Sequence, residues 1–160
     1  MNEILTVRKE YDKGDYALIQ ELNSEKHGWW ISFNADNSKK WERFYLFGKQ
    51  NGPEREWSKY GVLMHERSFK EDLLDGPWKI FYENGQLKND TWFTNGNQDL
   101  FSRWYDKEGQ LITELTIVGG QKHGTEIAQV IIDESTYQTT QAIVTFDNGK
   151  FKGFEPFTLT

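Results

Sequence analysis

The residues that could carry acid–base or thiol chemistry are few and dispersed along this chain. Cysteine is absent, which excludes thiolate nucleophiles and disulfide bonds. His27 and His123 each precede a glycine, in positions that hold Asn or Asp elsewhere in the chain, which favours turn residues over catalysts. His65 has no acid–base partner at a spacing that would bring two such groups together. We therefore predict that the protein is not an enzyme.

Two further patterns could bind an ion. The run 119–125, GGQKHGT, superficially resembles a phosphate-binding loop, but it lacks the Gly-Lys-Ser/Thr ending and falls at a recurrent turn. An acidic row that could attract a metal ion recurs every 24 residues, at Glu42, Glu66, Asp90 and Glu114. Three of these four acidic residues face a basic residue in the strand pairing predicted below, so a structural role is favoured. The sequence thus predicts no metal, no cofactor and no catalytic residue.

A 24-residue repeat organises the whole chain. Its clearest copy is 75–96, DGPWKIFYENGQLKNDTWFTNG, in which Asn84-Gly85 and Asn95-Gly96 each follow an apolar and aromatic run. An Asn-Gly pair between such runs favours a two-residue hairpin turn of type I′, because both central residues of that turn need φ > 0. The same step links two further sets of positions. The first is a series of glycines, Gly28, Gly52, Gly76 and Gly124, in which Leu100 replaces one glycine, and the second is a series of aromatic rings, Phe33, Trp57, Phe81 and Tyr105.

A period of this length is typical of a repeat array in which every repeat is one supersecondary unit. We predict an all-β fold, an elongated single-layer antiparallel meander of stacked β-hairpins. Residues 1–160 then form one repeat domain, with a divergent N-terminal cap hairpin at 1–27, four repeats at 28–123 and a divergent C-terminal cap at 124–160. The cap hairpin is one residue out of register with the repeats, and beyond Gly124 the strands are rich in β-branched residues.

The register of the strands can be predicted from the turn. A two-residue turn at Asn84-Gly85 places Lys79 opposite Asp90, and the repeat carries this pairing to two more oppositely charged pairs: Arg55 with Glu66, and Arg103 with Glu114. Residues of alternate parity then lie on opposite faces of the sheet. Neither face is wholly apolar, which agrees with a single layer.

The motif Gly-Pro-Trp-x-x-x-Tyr-x-Asn-Gly-Gln-Leu-Lys at 76–88 resembles the bacterial variant of the MORN repeat, often described as YwqK-like antitoxin. The resemblance covers roughly 14–124 and is strongest at 75–96. It implies an elongated sheet of hairpins, and it implies either of two functions. Some members of that family act as immunity proteins or antitoxins that bind a toxin domain, and others resemble scaffolds. The pattern is lost at Leu100-Phe101-Ser102 and after Val130.

Residues that break the repeat point to a binding surface. Bulky or charged side chains that occur at a 24-residue step only once are not needed to build the repeat, and exposed aromatic residues on a sheet are typical interface anchors. The favoured partner-binding set lies on one face: Trp41, Glu54, Glu56, His65, Trp78 and Trp104. The second choice, Phe44 and Trp92, shares the other face with the acidic row. We expect Glu54 and Glu56 to be unpaired charges beside the tryptophans, suited to a basic partner.

The composition narrows the classes of partner. The formal charge of −6 argues against nucleic acid and anionic membranes, which favour basic surfaces. No signal peptide or membrane-spanning apolar run is evident, so we expect a cytoplasmic protein without a membrane span. The sequence therefore predicts an immunity protein that binds a toxin domain, with a structural or scaffolding MORN-repeat protein as the alternative.

Overall fold

The computed structural model describes residues 3–118, 121–133 and 138–156. They form thirteen strands and a single 3-10 turn at Asp12–Gly14, with no α-helix within these ranges. The strands are β1 (Leu5–Glu10), β2 (Tyr16–Leu22), β3 (Glu25–Phe33), β4 (Lys39–Leu46), β5 (Lys49–Trp57), β6 (Leu63–Lys70), β7 (Leu73–Phe81), β8 (Leu87–Thr94), β9 (Asn97–Tyr105), β10 (Leu111–Val118), β11 (Gln121–Asp133), β12 (Gln138–Asp147) and β13 (Lys150–Pro156).

All thirteen strands belong to one open antiparallel sheet, and their order in the sheet is their order in the chain. At a spacing of about 4.8 Å between neighbouring strands, the sheet is about 58 Å wide. Each predicted repeat is one hairpin, so that β3–β4, β5–β6, β7–β8 and β9–β10 are successive copies. The predicted all-β single-layer meander is confirmed.

Two kinds of turn alternate along the meander. Where one hairpin passes to the next, two-residue turns have φ > 0 at both central residues, as a type I′ turn requires: Asn23-Ser24, Phe47-Gly48, Glu71-Asp72 and Asn95-Gly96. Within each hairpin only the last turn residue has φ > 0: Asn37, Gly61, Gly85 and Gly109. Both series keep the 24-residue step, although Gly119 and Gly120, which would continue the first series, lie outside the described residues.

The type I′ turn predicted at Asn84-Gly85 is wrong. The Gly85 amide donates to the Tyr82 carbonyl at 2.9 Å, and the Tyr82 amide donates to the Gln86 carbonyl at 2.9 Å. This is a three-residue loop built on a type I turn, with a left-handed glycine as its last residue. The longer loop pairs Phe81 with Leu87, and a bulge at Lys88 then restores the register, so Lys79 still lies opposite Asp90.

The left-handed position at the start of each repeat is kept even where its glycine is lost. At Gly28, whose φ is +81°, an added Cβ would lie 2.3 Å from the side-chain oxygen of Gln20. That oxygen accepts a hydrogen bond from the Trp29 amide, so the bulge leaves no room for a side chain. Leu100 occupies the equivalent position with φ of 62° and is 52% exposed. A leucine there costs the conformational strain that glycine avoids.

The two faces of the sheet are built differently. We call the face that carries Trp78 face A and the face that carries Lys79 face B. Almost all side chains that are buried lie on face A, among them Ala17, Ile19 and Tyr45, while Glu42 is a buried residue of face B. Since no second layer covers the sheet within the described ranges, the face A side chains bury one another.

Candidate functional site

Face A brings the whole favoured set together in two adjacent rows. Side chains that are directly opposite on neighbouring strands share a face, so the strand register defines each row. The first row runs Trp30, Arg43, Glu54, Arg67, Trp78, Thr91 and Ser102. The second runs Ser32, Trp41, Glu56, His65, Ile80, Asn89 and Trp104. From β4 to β9 the set spans five strand intervals, or about 24 Å.

The two glutamates at the centre of these rows are paired, and the expectation of unpaired negative charge is wrong. Glu54 is only 4% exposed and lies 2.8 Å from Nη2 of Arg67 and 3.4 Å from Nε of Arg43. Glu56 contacts the same two guanidinium groups, at 2.7 Å from Arg67 and 3.5 Å from Arg43. Two acids and two bases therefore form a network without net charge, which removes the stated reason for a basic partner.

Tryptophan rings flank this ion-pair network on both sides. The guanidinium carbon of Arg43 lies 4.6 Å from the ring centre of Trp41, and that of Arg67 lies 5.8 Å from the ring centre of Trp78. Trp78 also packs against Phe93, with ring centres 5.5 Å apart. Trp104 is the freest of the three tryptophans at 43% exposed. Charged and aromatic groups thus hold one another in fixed positions, which lowers the ordering cost when a partner binds.

Small polar side chains fill the sheet between Trp78 and Trp104. Asn89, Thr91 and Ser102 are each buried and are joined to one another, with 2.8 Å between the Thr91 and Ser102 hydroxyl oxygens and 3.0 Å between the Thr91 hydroxyl and the Asn89 side-chain oxygen. The side-chain nitrogen Nδ2 of Asn89 also donates a hydrogen bond to the backbone carbonyl of Arg103 at 2.9 Å. These bonds satisfy the buried polar groups, and the short side chains leave the neighbouring rings as the raised features of this part of face A.

Several buried nitrogen atoms on face A have no hydrogen-bond partner. They are Nε of Arg43, Nδ1 of His65, Nε of Arg67 and Nε1 of Trp78, and they lie on three strands of the site. Unsatisfied buried polar atoms are rare in folded proteins, and each costs about 1–3 kcal/mol. Of the four, Nε of Arg43 still lies 3.4 Å from the Glu54 carboxylate and keeps an ion-pair contact.

The second-choice residues lie on face B, as predicted. The Phe44 ring packs edge-on against Trp29 with 5.2 Å between ring centres, and Trp92 lies opposite Pro77 and Asp99. Both rings are half-buried. Face B is dominated by a ladder of alternating charge with one residue per strand from β4 to β10: Glu42, Arg55, Glu66, Lys79, Asp90, Arg103 and Glu114.

The ladder gives the acidic row its structural role. Arg55 lies 3.0 Å from Glu42 and 2.8 Å from Glu66, and Arg103 lies 2.9 Å from Glu114. Lys79 and Asp90 are in register, but no ion pair within 4.0 Å joins them, although both belong to the described residues. Burial alone would raise the pKa of Glu42, but hydrogen bonds from Lys39 and Arg55 outweigh burial and hold that pKa below its usual value.

The three histidines have different surroundings. His27 and His123 lie inside β3 and β11, so the prediction that they are turn residues is wrong. The turn before His27 is formed by Asn23-Ser24, and the glycine that follows each histidine belongs to a left-handed strand position. His65 lies on face A between Glu56 and Ile80. Within the described ranges, no group of three or more His, Asp or Glu side chains is arranged to hold a metal ion.

The sequence interpretation missed Arg43 and Arg67, which complete the site. Its own register contained the signal, because the pairing of Arg55 with Glu66 also places Glu54 opposite Arg67. On the other side of Glu54, the two-residue turn at Phe47-Gly48 alone would pair Arg43 with Gly52, and it is a register shift between Arg43 and Tyr45 that places Arg43 opposite Glu54. Scans of the chain against protein-family models and against curated proteins find no match. No helix in the described part of the chain has the length and apolar character needed to cross a bilayer.

Proposed function

We propose that this protein is a cytoplasmic protein-binding module without catalytic activity, and that it acts as an immunity protein or antitoxin that covers a toxin domain with face A. The observation that carries the proposal is the pair of rows on face A, where Trp41 and Trp78 flank a charge-neutral ion-pair network and Trp104 lies farther along the same face. Tryptophan and arginine are the residues most enriched at binding hot spots. The toxin itself rests on the resemblance of 76–88 to the bacterial MORN-repeat variant.

The contacts on face A favour an aromatic docking surface over electrostatic capture. Because Arg43 and Arg67 neutralise Glu54 and Glu56, these two glutamates do not supply long-range attraction for a basic partner. Trp104 offers exposed ring area at one end of the site, and Trp41 lies at the other. A partner that buries both rings also covers the network between them, and the affinity then comes mainly from the buried rings.

The test is neutralisation of, and binding to, the product of the neighbouring gene. Co-expression of the two proteins should restore growth that the neighbouring gene product alone suppresses, and the purified pair should form a complex. Trp104→Ala should weaken that complex by about 2 kcal/mol, close to 30-fold in Kd. The thermal stability of the free variant should fall only modestly, because 43% of Trp104 is already exposed.

Trp92→Ala is the matched control, since it removes the same side chain from face B. We expect it to leave Kd within about twofold of the unsubstituted protein. A complex that tolerates Trp104→Ala and is lost with Trp92→Ala would assign binding to face B. Absence of both growth rescue and complex formation would refute the immunity function and favour the scaffolding alternative, for which the open sheet and its two exposed edge strands are the supporting observation.

A further inference from the structure

The two outer edges of the sheet are not equally protected. An edge strand presents unpaired backbone N–H and C=O groups, and proteins block such edges with lysine, proline or a bulge. At one end, β13 carries all three devices: Lys150 and Lys152, Pro156, and a bulge between its pairings with Thr145 and Phe146. At the other end, β1 pairs regularly with β2 along its entire length and has no bulge and no proline, and its charged residues, Arg8, Lys9 and Glu10, are confined to its second half.

Strand β1 also exposes apolar side chains that an edge strand would normally lack. All six of its residues are exposed, and Leu5 and Val7 are 59% and 38% accessible, as is the preceding Ile4 at 49%. Val7 lies on face A beside Ile19, which is 1% exposed and opposite Trp30. A strand added to β1 would therefore continue the first row of face A with another apolar residue. This edge is suited to accept a strand.

We propose that the occupant is β1 of a second copy of this chain, paired antiparallel about a two-fold axis that passes through Thr6. The argument is the self-complementarity of the sequence in that register. Leu5 lies opposite Val7 of the second copy, Thr6 lies opposite Thr6 and Glu3 lies opposite Lys9, and the one unmatched pair is Ile4 opposite Arg8. Apolar pairs, threonine pairs and opposite charges are the cross-strand combinations that stabilise an antiparallel ladder.

The neighbouring registers that keep the faces matched are worse. An axis at Val7 places two apolar residues opposite charges, Leu5 with Lys9 and Ile4 with Glu10, where the axis at Thr6 places one, and an axis at Arg8 places two arginines opposite each other. The axis at Thr6 is perpendicular to the sheet, so both copies present face A on the same side. Because β13 is blocked, head-to-tail pairing of β1 with β13 is disfavoured, and the assembly closes as a dimer.

The proposed β1–β1 interface, which we call the seam, is short, with about seven residues from each copy, and is smaller than a standard interface of about 800 Å² per partner. We therefore expect a weak dimer whose population depends on concentration. Sedimentation velocity across a series from low to high micromolar protein should show a reversible shift from monomer to dimer. Hydrogen exchange should slow in β1 over the same series, with no change in β7 or β8.

Thr6→Lys tests the seam because it places two like charges opposite each other at the axis. Thr6 is exposed and lies beside Gln20 of its own chain, so we expect the fold to be kept and the dimer to weaken at least tenfold. Thr94→Lys, at an exposed strand threonine in the middle of the sheet, is the matched control and should leave the equilibrium unchanged.

A charge exchange tests the register. Glu3→Lys and Lys9→Glu should each weaken the dimer several-fold, and the double variant should restore it, because the two opposite charges change places. A monomer at every concentration would refute the proposal. A dimer that Thr6→Lys leaves intact would place the seam elsewhere, and open-ended growth of larger species would show pairing of β1 with β13 in place of the closed dimer.

Discussion

Replacing Glu54 by alanine should destabilise the protein more than replacing Glu66, a partly exposed glutamate of the face B ladder, by alanine. Glu54 is 4% exposed and is in contact with both Arg43 and Arg67, and it also accepts a hydrogen bond from the Gln50 side chain. Removing it leaves two guanidinium groups with Glu56 as their remaining acidic partner. Breaking a buried ion pair by removing one member costs about 3–5 kcal/mol, because the other charge stays buried without compensation.

The structure reduces that figure for Glu54. The side chains of Arg43 and Arg67 are 33% and 23% exposed, so water screens them in part, and Glu56 still neutralises one of the two charges. We expect a loss of about 2–3 kcal/mol in the free energy of unfolding. For a domain of this size such a loss corresponds to a decrease of roughly 5–10 °C in Tm.

Urea unfolding, monitored by tryptophan fluorescence, gives both the free energy of unfolding and its dependence on denaturant concentration. The matched control is Glu66→Ala on face B, where a 29% exposed carboxylate pairs with Arg55 at 2.8 Å. That loss should be about 0.2–1 kcal/mol. Equal losses for the two variants would refute the expectation that burial of Glu54 makes its ion pairs more important for stability than those of Glu66. A double variant of Glu54 and Arg67 should lose less than the sum of the two single changes.

Three further outcomes test the fold. Leu100→Gly should stabilise the protein by about 0.5–1 kcal/mol in a thermal melt, because it relieves a left-handed leucine of φ 62° that buries little, whereas Leu100→Ala should bring no gain. Glu42→Gln should flatten the loss of stability below about pH 4.5: because the pKa of Glu42 is lowered, its contribution to stability is present above the ordinary glutamate pKa of 4.5 and disappears as acid protonates the folded protein. Phe93→Ala should cost about 2–3 kcal/mol through its lost contact with Trp78, and an unchanged melt would show that the ring contributes no packing.

The period and the register could be predicted from the sequence because both depend on features that repeat. Charge pairs that fall into place at three separate 24-residue steps constrain the register more than any single turn motif does. The turn itself was not predictable from its Asn-Gly dipeptide. A three-residue loop at Asn84-Gly85 with a compensating bulge at Lys88 gives the same pairing of Lys79 with Asp90 as a two-residue turn. Distant pairs are therefore insensitive to the turn type.

The candidate site was predictable as a set of residues on one face but not as a charge distribution. Strand pairing was applied only to the acidic row on face B. Glu54 and Glu56 were compared with the equivalent positions of other repeats and not with the residues opposite them on neighbouring strands. Pairing across two successive hairpins places both glutamates beside Arg43 and Arg67. Charge on a sheet face is a property of three adjacent strands, and counting within one repeat cannot show it. Leu100 stands in a 24-residue series of glycines, so the periodicity marks the position, but it does not show that the backbone keeps φ > 0 there without a glycine.

Face B fixes the register of the strands, and face A presents side chains that differ between repeats. On face B, the 24-residue steps keep their charge type: positions 55, 79 and 103 are basic and positions 42, 66, 90 and 114 are acidic. On face A, the same steps change their chemistry, from Trp30 through Glu54 and Trp78 to Ser102. A shift of one residue would move each strand's side chains to the opposite face, and on face B it would also break the ladder of charges. Since the ladder already disfavours such shifts, face A residues are free to differ between repeats without loss of pairing. Such freedom is what a surface selected for one particular partner would need, and it is the structural reason why we propose face A as the binding face.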